Sequence, residues 1–317
     1  MIHRGHSCHS FLALFLFFLF WGFPAWAVNS IIVDNETGCV LEEHGLNSQV
    51  PVASLTKVAL AMVVLDWATL CKKKHQEILD RLVEVAPNAP AQGPANPLGL
   101  QPGDRLTLRD LLYLSLLVSD SEAANTIAYR IGTQLPNVQQ LGPVDNFVAH
   151  MNALARELKM RNTLFLNPSG LDMPPSQTQP YSTVADLARL IRYAYQKPGL
   201  AFYVAQKSRE IHVERAGKIF SVTIHNTNIL LGKECIDGVK TGTTPLAGGC
   251  LILTSEHRPE VKKIGNTVYT APRRIIVVLL NTVDRFQEGL ALISRGWSLY
   301  DAWALGGRLT GGHQFLE

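Results

Sequence analysis

Cysteine is scarce in these 317 residues: there are five, and Cys8 alone lies within the first 27. The remaining four, Cys39, Cys71, Cys235 and Cys250, show no CxxC spacing and no accompanying HxxxH, so no zinc pattern is present and neither metal nor cofactor is expected. An excess of one charge is lacking too. Against 26 Asp+Glu stand 29 Lys+Arg, of which only Arg4 lies in the first 27 residues, leaving 28 against 26, or +2, beyond them. Such a balance gives nucleic acid nothing to hold and excludes it as a partner. Internal repeats are absent. The apolar run at 11–23 is 13 residues long, short of the roughly 20 that a spanning helix needs. It follows His3 and Arg4 and precedes Ala25-Trp26-Ala27, the layout of a cleavable signal peptide over residues 1–27. An uncleaved membrane anchor is the alternative. The expected location is therefore secreted, in the periplasm or cell envelope. There the four cysteines could form bridges in three pairings. Cys235 and Cys250 fall on what read as neighbouring strands, and buried free thiols are the other reading.

What is present reads as one catalytic domain over 28–317, long enough for a substantial hydrophobic core. Apolar stretches at 30–33 and 39–41 flank the turn residues 34–38 and predict a hairpin. Residues 54–70 contain no Gly or Pro and are apolar nearly all round, which predicts a buried helix. Prolines at 87, 90, 94, 97 and 102 mark 72–103 as a Pro-rich loop or small lobe. The capping box from Thr107 to Asp110 opens a helix reaching 118; residues 119–121 break it, and helical character resumes at 122–131. Further helices are predicted at 146–159, at 184–195 behind the capping box of Thr183 and Asp186, and at 285–304. Apolar β-rich runs stand at 250–253 and 275–280. Strands at both ends with helices between them give a mixed α/β domain whose terminal strands pair across the chain.

Three short segments carry chemistry. In Ser54-Leu55-Thr56-Lys57 the three-residue spacing puts hydroxyl and amine on one face a turn apart. A lysine in an apolar setting loses its proton near neutral pH and can then activate serine, while free N–H groups at a helix start can hold an oxyanion. Lys240-Thr241-Gly242-Thr243-Thr244 follows a strand-like approach and offers donors on a backbone that a ligand can approach closely. Ser119-Asp120-Ser121 stands at the helix break. Taken singly, each has an ordinary structural explanation: an N-cap serine with a surface lysine, a turn between strands, caps for the next helix.

Together and in this order they resemble the SxxK, SxN and KTG elements of penicillin-binding proteins and class A β-lactamases. The chain is similar to the D-alanyl-D-alanine carboxypeptidases of the low-molecular-mass penicillin-binding protein family, and framework segments at 99–112, 147–158, 167–172 and 226–232 extend the likeness over about residues 30–294. The resemblance implies a β-lactamase/transpeptidase-like α/β fold, a five-stranded antiparallel sheet flanked by helices with an α-helical cluster, and Ser54 at the cleft between them. It implies that Ser54 attacks the carbonyl between two D-alanines and Lys57 takes its proton. The N–H groups of Ser54 and Thr243 would hold the oxyanion. Lys240, Thr241 and Thr243, with Gly242 and Ser121, would bind substrate, and Ser119 would relay protons to the leaving amine. The implied partners are peptidoglycan pentapeptide and, as covalent inhibitors, β-lactams.

The chain departs from that pattern at Ser121, where the family has Asn; a hydroxyl cannot span the same two partners, which puts support of Lys57 and anchoring of substrate at risk. Asn125, a turn further on, reads as packing. A β-lactamase would need a glutamate where Thr163 stands. A peptidoglycan D,D-endopeptidase shares the same catalytic set, and a non-catalytic wall-binding protein is the rival of a different class. No second β-rich domain and no C-terminal membrane anchor are expected. Arg258, Lys262, Lys263, Arg273 and Arg274 read as the solvated face of a long hairpin, Glu42 and Glu43 as a solvated strand end, and His225 as a structural residue.

Overall fold

The computed structural model describes residues 29–71, 78–87, 96–197, 199–308 and 314–316, without the side chains of Lys262 and Ile264. The signal-peptide assignment and much of the Pro-rich segment lie outside the described residues. The expected hairpin forms from β1 (Asn29–Asp34) and β2 (Val40–His44), and the Asp34 carboxylate closes its turn by accepting from the backbone N–H and hydroxyl of Thr37. Three late strands complete the sheet: β7 (Ile236–Thr244), β8 (Gly248–Ile264) and β9 (Thr267–Thr282). Its order is β2-β1-β9-β8-β7, antiparallel throughout, so the first strand pairs with the last and β7 is an edge.

The sheet is covered on both faces, which explains the unbroken apolar run at 275–280. Successive strand residues point to opposite faces. Ile276, Val278 and Leu280 pack on one side with the helical cluster, and Ile275, Val277 and Leu279 on the other with Leu292, Ile293 and Trp297 of α7 (Arg285–Leu305). On the cluster side, α1 (Thr56–Leu70) touches α2 (Leu108–Leu117), α3 (Ser121–Gly132), α4 (Pro143–Glu157), α5 (Val184–Tyr195) and α6 (Leu200–Val204). A helix with neighbours on so many sides has no polar face to keep. Thr107 and Thr183 cap α2 and α5 by accepting from the N–H groups of Asp110 and Asp186, as the capping boxes require.

The structure adds a second, four-stranded sheet that the sequence reading missed. Its order is β3 (Leu82–Glu84), β4 (Arg105–Thr107), β5 (Ser208–Arg215) and β6 (Lys218–His225). Two of these strands have only three residues, too few for a period to show. The β5–β6 hairpin turns on Ala216 and Gly217, both at positive φ (49° and 74°), so Ala-Gly fills a turn usually signalled by Asn-Gly.

Other expectations need correcting. All four described cysteines are free, and Cys235 lies just before the start of β7 while Cys250 pairs with Gly242 near its end, which rules out that bridge. Arg274 is not on a solvated face: it is buried, pairs with both carboxylate oxygens of Asp237 at 2.8 Å, and also holds Glu256. Glu42 is partly buried against Arg295 rather than solvated.

Helices α3 and α4 meet where Gly132 ends the former; a Cβ there would stand 1.9 Å from the Pro143 carbonyl oxygen. Gly132→Ala must push the helices apart and should cost about 1–3 kcal/mol. The expected result is a lower urea midpoint at constant slope; an unchanged midpoint would show that the helices are not in contact there.

Candidate active site

The nucleophile candidate stands just ahead of the helix predicted to begin with it. Residues Ala53–Leu55 form a 3-10 turn and the α-helix starts at Thr56. Ala53 has φ 48°, a left-handed conformation that costs a non-glycine residue about 1–3 kcal/mol and is held only by its surroundings. Ser119, at the second segment, has φ 60°. Both serine-bearing turns are therefore backbone-strained.

Lys57 lies in the first turn of α1, fully buried. Its Nζ donates to Ser54 Oγ at 2.9 Å, to Ser121 Oγ at 3.1 Å and to the carbonyl of Ser169 at 2.8 Å. Three acceptors match the three protons of an ammonium. When the amine is neutral it keeps two protons and gains a lone pair, and only a hydroxyl can reverse its bond to donate to that pair. Ser169 offers a carbonyl, so the reversal falls to Ser54 or Ser121. Burial pulls the Lys57 pKa down from 10.5 to about 7, opposed by the negative charge of Asp120. Asp120 is itself fully buried and caps α3 by accepting from Ala123 N–H at 2.8 Å.

Ser121 thus reaches Lys57 despite its short side chain, so support of the lysine survives the replacement of Asn. Asn125 is not among the residues lining the cleft.

The third segment is on β7, the edge strand. Gly242 lets this strand approach the nucleophile: a Cβ on it would lie 3.0 Å from Ser54 N and 3.1 Å from Ala53 Cβ. A cleft of about 470 Å³ opens between strand and turn, lined by Ser54, Ser119, Ser121, Thr241, Gly242 and Thr243. Lys240 does not line it. Its amine is buried behind Ser119, donating to that hydroxyl and to the Thr241 carbonyl at 3.0 Å. Burial, then the charges of Lys57 and Arg285, hold its pKa well below the usual lysine range.

Sequence reasoning missed five contributors. Arg285, at the start of α7, enters the cleft and donates to the Gly242 carbonyl at 2.6 Å and to the Thr243 hydroxyl. Thr227 lines it and lies 2.6 Å from Thr241 Oγ1. Ser169 supplies only its carbonyl, and a carbonyl carries no signature in sequence. Leu171 and Pro245 form apolar parts of the rim. For Arg285 a signal existed, a basic residue opening the closing helix; nothing in the sequence pointed it at the cleft. Among the described residues no group of three or more His, Cys, Asp or Glu side chains is placed to hold a metal ion.

Comparison with known proteins adds the following. The family model described as D-alanyl-D-alanine carboxypeptidase matches residues 25–265. A D-alanyl-D-alanine endopeptidase of Pseudomonas aeruginosa is 29% identical over 239 residues, 74% of this chain and 69% of that protein. D-alanyl-D-alanine carboxypeptidase DacB2 of Mycobacterium tuberculosis is 36% identical over 217 residues, 68% of this chain and 66% of that protein. The chain therefore spans about two thirds of the length of these relatives. Among solved structures, the Streptomyces K15 DD-transpeptidase superposes with a TM-score of 0.67 at 26% identity, covering 86% of this chain and 97% of that one. Penicillin-binding protein D2 of Listeria monocytogenes, in its ampicillin-bound form, gives 0.64 at 24% identity over 84% of this chain and 96% of that one. The expected fold class is borne out.

If Lys57 must be neutral to take the Ser54 proton, a pKa of about 7 sets the acid limb of the reaction. The rate of Ser54 labelling by a fluorescent β-lactam should be half-maximal near that pH and fall about tenfold per pH unit below it. A rate independent of pH between 5 and 7 would remove Lys57 as the titrating base.

Proposed function

We propose that this chain, which belongs to the D-alanyl-D-alanine carboxypeptidase family, is an exported serine acyl-enzyme that removes the terminal D-alanine of peptidoglycan stem pentapeptides in the periplasm or cell envelope. The observation that carries this reading is the 2.9 Å contact between the buried Lys57 amine and Ser54 Oγ, facing a cleft with one guanidinium on its opposite wall.

In the proposed reaction neutral Lys57 accepts the Ser54 proton as Oγ bonds to the carbonyl carbon of the penultimate D-alanine. The N–H groups of Ser54 and Thr243 take the developing oxyanion. The carbon–nitrogen bond breaks and the proton taken by Lys57 passes to the leaving amine through Ser119, whose hydroxyl is backed by Lys240; this returns Lys57 to its neutral form. Water then hydrolyses the ester and Ser54 recovers its proton. Arg285 and Thr243 grip the substrate's carboxylate, with Thr241 beside them. Lys240 acts from behind Ser119 rather than by direct contact. Ser121 supports Lys57 through its oxygen and keeps its own proton for the substrate backbone. β-Lactams would acylate the same Ser54.

A second reading, D,D-endopeptidase cleavage of cross-links, is favoured by the name of the Pseudomonas aeruginosa relative. It uses the same atoms on a branched substrate.

Purified protein lacking the first 27 residues should release free D-alanine from pentapeptide muropeptides and leave cross-linked dimers intact; cleavage of the dimers instead selects the endopeptidase. Ser54→Ala should give neither D-alanine nor a penicillin adduct, and a wild type that forms no adduct would leave a wall-binding protein. Arg285→Ala loses a charge-assisted bond of about 1.5–3 kcal/mol, so kcat/KM should drop about 10- to 150-fold.

A further inference from the structure

The loop at 167–172 is wound around one side chain. Asn167 Oδ1 accepts from the Ser169 N–H at 3.2 Å, the Ser169 hydroxyl at 3.1 Å and the Gly170 N–H at 2.6 Å, while its amide donates to the Leu171 carbonyl at 2.9 Å. The loop sits directly on the nucleophile's turn: a Cβ on Gly170, which has φ 78°, would lie 1.9 Å from the Ala53 carbonyl oxygen and 2.7 Å from Thr56 Oγ1. In that position Ser169 presents its carbonyl to Lys57. The loop is thus part of the wall that carries Ser54.

Its last residue reaches the other wall. Asp172 Oδ1 accepts from the buried Thr244 hydroxyl at 2.7 Å, and Oδ2 accepts from Leu246 N–H at 3.1 Å. Thr244 Oγ1 in turn accepts from Ala247 N–H at 3.1 Å. One carboxylate therefore fastens the turn that follows β7, at the point where the strand's pairing ends with Thr244 opposite Gly248. Thr243, whose hydroxyl meets Arg285, is the adjacent residue.

We propose that Asp172 is a positioning residue for acyl transfer: a carboxylate tie that holds the tail-gripping end of β7 in register with Ser54 and Lys57. The inference rests on the acyl-enzyme reading and deepens it. The scissile carbonyl and the terminal carboxylate of the substrate are one residue apart, so the two walls must keep a fixed separation. An error of about 1 Å in such registration can cost on the order of 100-fold in rate. β7 is an edge strand supported by a neighbour on one side only, and its final residues are where an outside anchor has most to do. Asp172 touches neither Ser54 nor Lys57 and acts through Thr244 and Leu246.

The test compares Asp172→Ala, Asp172→Asn, Thr244→Val and the double variant D172A/T244V with wild type. Each is assayed on a D-alanyl-D-alanine peptide and on the same peptide with a C-terminal amide, together with Tm. The expected result for Asp172→Ala is a kcat at least tenfold lower on the free-carboxylate peptide, little change on the amide, and a Tm within a few degrees of wild type. Thr244→Val should reproduce the loss and the double variant should add little to it, as for two ends of one link. Asp172→Asn, which keeps an acceptor for Thr244 but turns an NH2 toward Leu246 N–H, should fall between. Wild-type kcat in Asp172→Ala, equal losses on both peptides, or additive losses in the double variant would overturn the tie alone. A wild type giving neither D-alanine nor a Ser54 adduct would overturn the acyl-enzyme reading itself, and the tie with it.

Discussion

The chemistry of this molecule depends on taking one lysine amine out of water without leaving it unpartnered. Removing an ammonium from solvent is costly, and the protein meets that cost in two ways: acceptors for each proton, and a pKa low enough that the neutral form is populated near neutrality. α1 supplies the desolvation because every residue of it from Thr56 to Leu65 is buried. In the proposed reaction the same buried lysine makes Ser54 reactive, and the site depends on whatever positions its three acceptors.

Those acceptors come from three distant parts of the chain, and the fold exists in this region to bring them together. The helix break at 119–121 brings Ser121, and the loop at 167–172 brings the Ser169 carbonyl. The edge strand then closes the cleft from the opposite side, close enough that a Cβ at 242 would stand 3.0 Å from Ser54 N. Edge strands are exposed to mispairing and need protection. Here Arg285, Asn228 and the Lys240 amine each donate to one of the carbonyls of β7.

The parts of this arrangement that were legible in the sequence are those set by local rules. Helix starts at Thr107 and Thr183 follow from a side chain bonding its own neighbouring N–H, and both lie where the capping boxes put them. The hairpin at 29–44 follows from apolar stretches around turn residues. The second sheet was missed because two of its strands are three residues long and gain their identity only by pairing, Leu82 of β3 with Thr107 of β4 and Arg105 of β4 with the far more distant Glu214. Arg274 was misread for a related reason: a charge run in sequence says nothing of the Asp237 and Glu256 that meet it across the strands.

At the site the same division holds. The sequence determined the Ser54–Lys57 pair, since three residues at the start of a helix fix that distance, and it determined which strand carries the small residues at 241–243. Only the tertiary structure decided that Lys240 stands behind Ser119, that Arg285 is the cation in the cleft, and that a carbonyl of Ser169 completes the coordination of Lys57. These contacts span between 43 and 121 residues of chain. Their geometry comes from sheet register and from the packing of one loop on one turn, and neither leaves a periodic trace in the residues themselves.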